Sequence, residues 1–128
     1  MIALLFVLSQ KDLPAQSAKY PPINDYLMQQ DAEVALARSA AQANISDPAT
    51  IKVLTNSGFE VAYEGDDGFV CEVMRAFSAP TYTPAQFRIL VYDVSVRAPI
   101  CFNPQAAREV LPYYELRTKL AMEGDDPD

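Results

Sequence analysis

The fold is decided by residues 50–75, which read TIKVLTNSGFEVAYEGDDGFVCEVMR. Two turn signals, NSG at 56–58 and GDDG at 65–68, separate three apolar, β-rich segments. Alternating apolar and mostly polar or small residues over 59–63 are typical of a half-buried strand, and 69–75 is the third strand. Asp-Gly supplies the positive φ of a tight hairpin between them. The stretch predicts an α+β fold with an antiparallel meander of about three strands. A helix over the first segment, starting at Pro48, is the alternative.

A helix is predicted upstream of this meander, capped by Asn24 or Asp25 and running to about Ala43. The side expected to be buried is made mostly of small residues: Met28, Ala32, Ala35, Leu36, Ser39, Ala40 and Ala43. The side expected to face water carries Gln30, Asp31, Glu33 and Arg38. Small residues at helical spacing allow a helix to approach a sheet closely.

A second helix is predicted downstream, after a short extended piece over 99–102. Asn103-Pro104 supplies an N-cap and a first-turn proline, and Gly124 is a stop after Glu123. Pro112 removes a backbone hydrogen bond, so we expect a kink, or two helices that meet there. Between the meander and this helix, Thr83-Pro84 favours a short helix through Leu90, and a strand over 88–92 is the alternative.

Length and composition indicate one domain. The chain has 128 residues, half of them hydrophobic, with a formal charge of −7 and no His. We divide it into a signal-like segment and linker arm (1–24), a globular domain (25–123) and an acidic tail (124–128). The acidity argues against nucleic-acid binding, which depends on Lys and Arg. The absence of His excludes Ser-His-Asp and Cys-His catalysis.

The N-terminal run IALLFVL (2–8) is too short to span a bilayer. It is compatible with the core of a secretory signal peptide, with cleavage before Ala18. Against this, no basic residue precedes the run, and Lys11 and Asp12 interrupt the approach to the cleavage site. A buried strand or helical turn at the start of the fold is the alternative. We expect export to the periplasm or exterior, and otherwise a cytoplasmic location.

Cys71 and Cys101 are the only cysteines, and both stand in apolar, β-like surroundings. We predict a disulfide between them, with Cα atoms about 4.4–6.8 Å apart. Such a bond would contribute roughly 3–4 kcal/mol in the chain-entropy model. Two buried reduced thiols are the alternative if the protein is cytosolic.

The acidic group Glu60, Glu64, Asp66 and Asp67 surrounds the second predicted turn. Oxygen-rich loops of this kind can hold Ca²⁺, so Glu64, Asp66 and Asp67 are candidate ligands. Ca²⁺ is the one cofactor considered. With it, a small hydrolase acting on an ester or lactone becomes possible, because the ion would polarise a carbonyl while a carboxylate activates water. A merely solvated hairpin tip is the simpler interpretation.

Aromatic and arginine side chains cluster in the second half of the chain. Together they can line a ligand pocket or a protein interface. The candidates for this surface are Arg75, Tyr82, Phe87, Arg88 and Tyr92, with Tyr113, Tyr114 and Arg117 nearby in sequence. The proline-rich stretch 78–97 is where we expect a binding surface first. Ordinary amphipathic cover over a small core is the alternative.

The segments GFVCEVMR (68–75) and APICFNP (98–104), followed by AAR (106–108), resemble a group of short, uncharacterised bacterial proteins that often carry signal peptides. The resemblance covers roughly residues 31–124. It implies export and a paired cysteine, and it implies no mechanism. The leading hypothesis is therefore an exported, disulfide-stapled domain that binds a small molecule or a protein without catalysis.

Overall fold

The structure is a computed structural model that describes residues 21–78 and 91–125. A 3₁₀ turn at Ile23–Tyr26 precedes two helices, α1 (Gln30–Arg38) and α2 (Ala43–Ser46). The strands are β1 (Thr50–Thr55), β2 (Gly58–Tyr63), β3 (Val70–Met74) and β4 (Ala98–Phe102). Two helices follow, α3 (Pro104–Glu109) and α4 (Leu111–Met122). The predicted α+β class is confirmed.

The sheet differs from the predicted meander. Its order is β2-β1-β3-β4, and β1 pairs parallel with β3, whereas β1–β2 and β3–β4 are antiparallel. The three strands expected over 50–75 form where the alternation places them. The extended piece expected over 99–102 adds a fourth strand. The antiparallel meander was therefore only roughly right, because β3 lies on the far side of β1 from β2.

The connection from β2 to β3 explains this topology. It passes beneath the start of β1, where Gly65 N donates to Thr50 Oγ1 (2.9 Å) and Asp66 N donates to the Pro48 carbonyl (2.9 Å). A Cβ on Gly65 would lie 2.2 Å from the Pro48 carbonyl oxygen, so only glycine allows the crossing. GDDG is thus part of a crossover, and the expected tight hairpin at that position was wrong.

The upstream helix is shorter than predicted. It begins at Gln30, where the Gln29 side chain accepts a hydrogen bond from Ala32 N, and it ends at Arg38. Leu27 has an extended backbone, which separates the 3₁₀ turn from α1. The fully buried positions are Glu33, Val34 and Ala37, so most of the expected buried side was wrong. Of the expected residues, Met28 and Leu36 do pack against the core. The helix begins at Gln30, several residues later than predicted, and its inner side includes the charged residue Glu33, which was expected to face water.

The C-terminal prediction was accurate. The Asn103 side chain accepts from Ala106 N (2.8 Å), which caps α3 as expected. The helix breaks at Val110, so Pro112 stands in the first turn of α4 and two helices meet there. Gly124 adopts a positive φ of 96° just beyond the end of α4.

The sheet is covered on both faces. Ile51, Val53, Cys71 and Val73 pack with Val34 and Ala37 of α1 in one core cluster. On the opposite face, a second cluster joins Tyr26, Leu54, Phe77 and Val91, with Ala121 and Met122 of α4 packed against it. The molecule is therefore a three-layer arrangement of α1, sheet and α4, and odd and even residues of each central strand face different helices.

Candidate functional site

The disulfide between Cys71 and Cys101 is present and joins residues directly opposite each other in the β3–β4 ladder. Their Cα atoms are 4.0 Å apart, slightly closer than predicted. Directly opposed residues of antiparallel strands approach to about 4.5 Å at non-hydrogen-bonded pairs, which accounts for the short separation. Cys101 Sγ lies 3.9 Å from the Ala37 carbonyl oxygen of α1. The bond staples an edge strand to the centre of the sheet.

Arg75 was expected on a ligand surface but is buried, with 1 % of its surface exposed. Its Nη1 lies 2.9 Å from Glu33 Oε2 of α1, and both side chains are inaccessible to solvent. Its Nε donates to the Tyr26 carbonyl (2.8 Å). The guanidinium therefore holds α1, the 3₁₀ turn and β3 together and does not contribute to an exposed surface.

This ion pair occupies a gap in the sheet. Pairing between β1 and β3 ends at Ile51–Cys71. Continued in the same register, Leu54 N would donate to the Val73 carbonyl, as in any parallel ladder. Instead, Leu54 N donates to Glu33 Oε2 (3.1 Å), and the Val73 carbonyl accepts from Arg75 Nη1. The ion pair thus replaces a missing ladder hydrogen bond where the two strands diverge.

The same network reaches the other face of the sheet. Arg75 N donates to Ser78 Oγ (3.2 Å), which lies 2.9 Å from Thr118 Oγ1 of α4. Ser78 and Thr118 are both fully buried. A polar chain therefore runs from α1 through the end of β3 to α4, so the two outer layers are coupled through Arg75.

Most of the remaining surface candidates lie outside the described residues: Tyr82, Phe87 and Arg88. Tyr92 is half-buried, and its carbonyl accepts a hydrogen bond from the Tyr26 hydroxyl (2.8 Å). Burial, followed by the charges of Asp25 and Asp93, raises the pKa of Tyr26 to about 12. The aromatic surface stays a prediction for the residues that the structure does not describe.

The acidic group around GDDG is spread over the crossover. Glu64 and Asp66 are exposed, and the Asp67 side chain accepts from Phe69 N (2.9 Å). Within residues 21–78 and 91–125, no three Cys, Asp or Glu side chains converge to hold a metal ion. The Ca²⁺ site at Glu64, Asp66 and Asp67 stays a prediction. The same holds for the hydrolase that depends on this site.

Glu72 is a second buried carboxyl, and it lies on the face of β3 opposite to Cys71. It is completely inaccessible, and neither carboxylate oxygen has a hydrogen-bond partner among the described residues. Burial, with the neighbouring charge of Glu115, raises the pKa of Glu72 to about 8, although Lys52 acts in the opposite direction. Glu72 is therefore mostly protonated at neutral pH.

Helix α4 presents apolar side chains to solvent as well as to the sheet. Its inner side carries Leu111, Thr118 and Met122, whereas Tyr113, Leu116 and Leu120 are 73 %, 55 % and 39 % exposed. Spacing of three and four residues aligns the exposed three along the outer side of the helix. We call them the α4 stripe. A surface helix normally places polar residues there, so this apolar side is unusual.

Two further surface features lie beside α4. Val61 of β2 is 48 % exposed. It lies on the sheet face that α4 covers, since its ladder partner Lys52 contacts Glu115 of α4 from that face. At the C-terminal end of α4, an open cleft of about 380 Å³ is lined by Asn56, Ser57, Lys119, Met122 and Glu123. Sequence reasoning had singled out Tyr113 but missed Leu116 and Leu120. The available signal was the spacing of Tyr113, Leu116 and Leu120, which recur at intervals of three and four residues in the predicted helix.

Comparisons with protein-family models, with curated proteins and with solved structures gave no match. The resemblance to short bacterial proteins therefore stays an expectation. In the described part of the chain, every helix is too short or too polar to cross a membrane.

Proposed function

We propose that this protein is an exported, disulfide-stapled domain that binds another protein through the α4 stripe and has no catalytic activity of its own. The carrying observation is the exposure of Tyr113, Leu116 and Leu120 on one side of a helix whose other side is already packed. A contiguous apolar surface of this kind marks an interaction site more often than isolated exposed residues do. The large, rigid Tyr113 ring is typical of interface anchors.

The sheet edges support the helix, and not strand addition, as the binding element. At one edge, β2 has an irregularity in its pairing beside Val61 and carries Glu60. At the other edge, β4 contains Pro99, which has no N–H to donate. Bulges, charges and prolines are features by which edge strands resist pairing with another chain. The exposed helix side has no such protection.

Export is supported by the disulfide. Persistent disulfides between buried cysteines are typical of oxidising compartments and rare in the cytosol. The N-terminal run 2–8 supplies a signal-like segment. Mass spectrometry of the mature protein tests this part of the proposal. A chain that starts at Ala18 with the Cys71–Cys101 bond intact supports export, and a full-length reduced chain contradicts it.

Site-specific photo-cross-linking in the producing cells tests the binding role. A benzophenone amino acid at Leu116 is expected to give a discrete protein adduct. The same probe at Ala35, which is exposed on α1 across the sheet, is the matched control and should give none. The double change Leu116→Asp and Leu120→Asp should weaken binding without lowering the melting temperature, because both side chains point to solvent.

Equal adducts at both positions, or none at Leu116, would contradict the binding role. Sedimentation of the purified protein shows whether the partner is a second copy of this chain, because only then does the purified protein form a dimer. An ester and lactone panel, run with and without a Ca²⁺ chelator, tests the absence of catalysis. Turnover that the chelator abolishes would show that the hydrolase alternative was the better interpretation.

A further inference from the structure

Glu72 lies between the sheet and α4, on a different side of β3 from the disulfide. Cys71 and Val73 belong to the core cluster under α1, so the intervening side chain faces α4. The Ile51–Cys71 pairing, continued by one residue, places Lys52 of β1 beside it. Lys52 Nζ in turn lies 2.5 Å from Glu115 Oε1 of α4. Three ionisable groups from three elements therefore meet under the middle of this helix.

Every element packed around Glu72 contributes either a charge or an apolar wall. Lys52 of β1 and Glu115 of α4 face it directly, and Glu33 of α1 and Arg75 of β3 act on it from the other face. Its ladder partner on β4 is Ile100, which carries no charge. In the part of the chain that the structure describes, Lys52 is the one ammonium beside these two carboxyl groups, and it is already paired with Glu115.

Among residues 21–78 and 91–125, Glu72 therefore has no counter-charge of its own. An ionised carboxylate there would be desolvated, would lack hydrogen bonds from the described residues and would face the charge of Glu115. Removing an unpaired carboxylate from water is far more costly than burying its neutral form. The arrangement is neutral, and α4 packs without repulsion, only while Glu72 keeps its proton.

We propose that Glu72 is a proton-dependent latch for helix α4: protonated, it lets the helix pack on the sheet, and ionised, it releases the helix while the rest of the sheet stays folded. Release breaks the hydrogen bond between Thr118 and Ser78 and the ion pair between Lys52 and Glu115. The Glu33–Arg75 pair lies on the α1 face and stays in place. The proposal does not depend on what binds to the α4 stripe, although release would move that stripe.

The direction of the pH effect follows from the raised pKa of Glu72. In the packed state this pKa is about 8, against an ordinary value of 4.5 for a solvated carboxyl. Between these values the released state binds fewer protons than the packed state, so rising pH favours release. The open population should grow about tenfold per pH unit across that window and stay constant above it.

Amide hydrogen exchange followed by NMR, corrected for intrinsic exchange rates, tests the latch from pH 5 to pH 9. Amides of α4 should lose protection by about tenfold per pH unit up to about pH 8, and at pH 8 they should exchange at least about tenfold faster than β1 amides. Glu72→Gln should abolish the slope in α4. Glu123→Gln, an exposed change at the end of the same helix, should keep it.

A slope that persists in Glu72→Gln overturns the latch, as does α4 exchange no faster than that of β1. If Glu72→Gln does not fold, the ¹³C resonance of the Glu72 carboxyl in the unaltered protein decides the matter. A midpoint near pH 8 that coincides with the end of the fall in α4 protection supports the proposal. A midpoint near the ordinary value overturns it.

Discussion

Glu33 and Glu72 are both completely buried, one on each face of the same sheet, and the protein treats them differently. Glu33 pairs with Arg75 and accepts a backbone hydrogen bond from Leu54. Glu72 has neither an ion pair nor a hydrogen bond among the described residues, and its pKa is raised to about 8. Two equally buried carboxyls of one sheet therefore differ in their partners: Glu33 has an ion pair and a hydrogen bond, and Glu72 has neither among the described residues.

The comparison also separates two roles. The Glu33–Arg75 pair completes the sheet where β1 and β3 diverge, so its role is structural. Glu72 completes nothing in the described structure and makes the packing of α4 sensitive to protons. Substitutions that remove each feature in turn should therefore produce effects of different size and, for Glu72, of opposite sign.

The largest effect is expected from Arg75→Leu. This change leaves Glu33 buried and unpaired and removes the contact to the Val73 carbonyl, and breaking a buried pair typically costs about 3–5 kcal/mol. Urea denaturation should show a loss of that size in the free energy of unfolding. Arg108→Leu, at an exposed position on α3, is the matched control and should change stability by less than about 0.5 kcal/mol. Equal effects of both changes would show that the ion pair does not hold the sheet.

Removing the disulfide should have a comparable or slightly smaller effect, because it anchors β3, the strand that carries Glu72 and that Arg75 directly follows. Cys71→Ala with Cys101→Ala should cost roughly 3–4 kcal/mol, since the bond closes a loop with a sequence separation of 30. Reduction of the unaltered protein is the control that leaves both side chains in place. A loss below about 1 kcal/mol in both cases would refute the stapling role.

Lys52→Met should produce the smallest change in stability. Lys52 and Glu115 are 20 % and 26 % exposed, and such pairs contribute about 1 kcal/mol or less. The same change should raise the pKa of Glu72 above about 8, because Lys52 is a neighbour that lowers it. The ¹³C titration of Glu72 measures this shift, with the exposed Lys119→Met as control. An unchanged midpoint would mean that Lys52 does not act on Glu72.

The sequence predicted the local elements well. Turn signals and β-rich composition located all three strands of 50–75, and the Asn103-Pro104 pair located the start of α3. These features depend on neighbours in sequence. The expected bond between Cys71 and Cys101 is also present, although the two residues are 30 positions apart. The parallel pairing of β1 with β3 was missed because it depends on where the crossover at Gly65 passes, which no local pattern encodes.

The buried polar groups were the hardest to predict. Glu33 looked like a residue for the solvent side of a helix, because its partner Arg75 is 42 positions away. Arg75 looked like a surface residue for the same reason. The candidate site was predicted in part: Tyr113 was noted, whereas Leu116 and Leu120 were missed. Their exposure depends on which side of α4 the sheet occupies.

The most direct test of the difference between Glu33 and Glu72 is the free energy of unfolding as a function of pH for the unaltered protein and for Glu72→Gln. A folded pKa above the unfolded value means that Glu72 contributes most to stability below about pH 4.5, and that this contribution is lost as the pH rises to about 8. The glutamine variant should therefore match the unaltered protein near pH 4 and exceed it by a few kcal/mol at pH 8. Parallel curves, or a variant that is less stable at pH 8, would contradict the account.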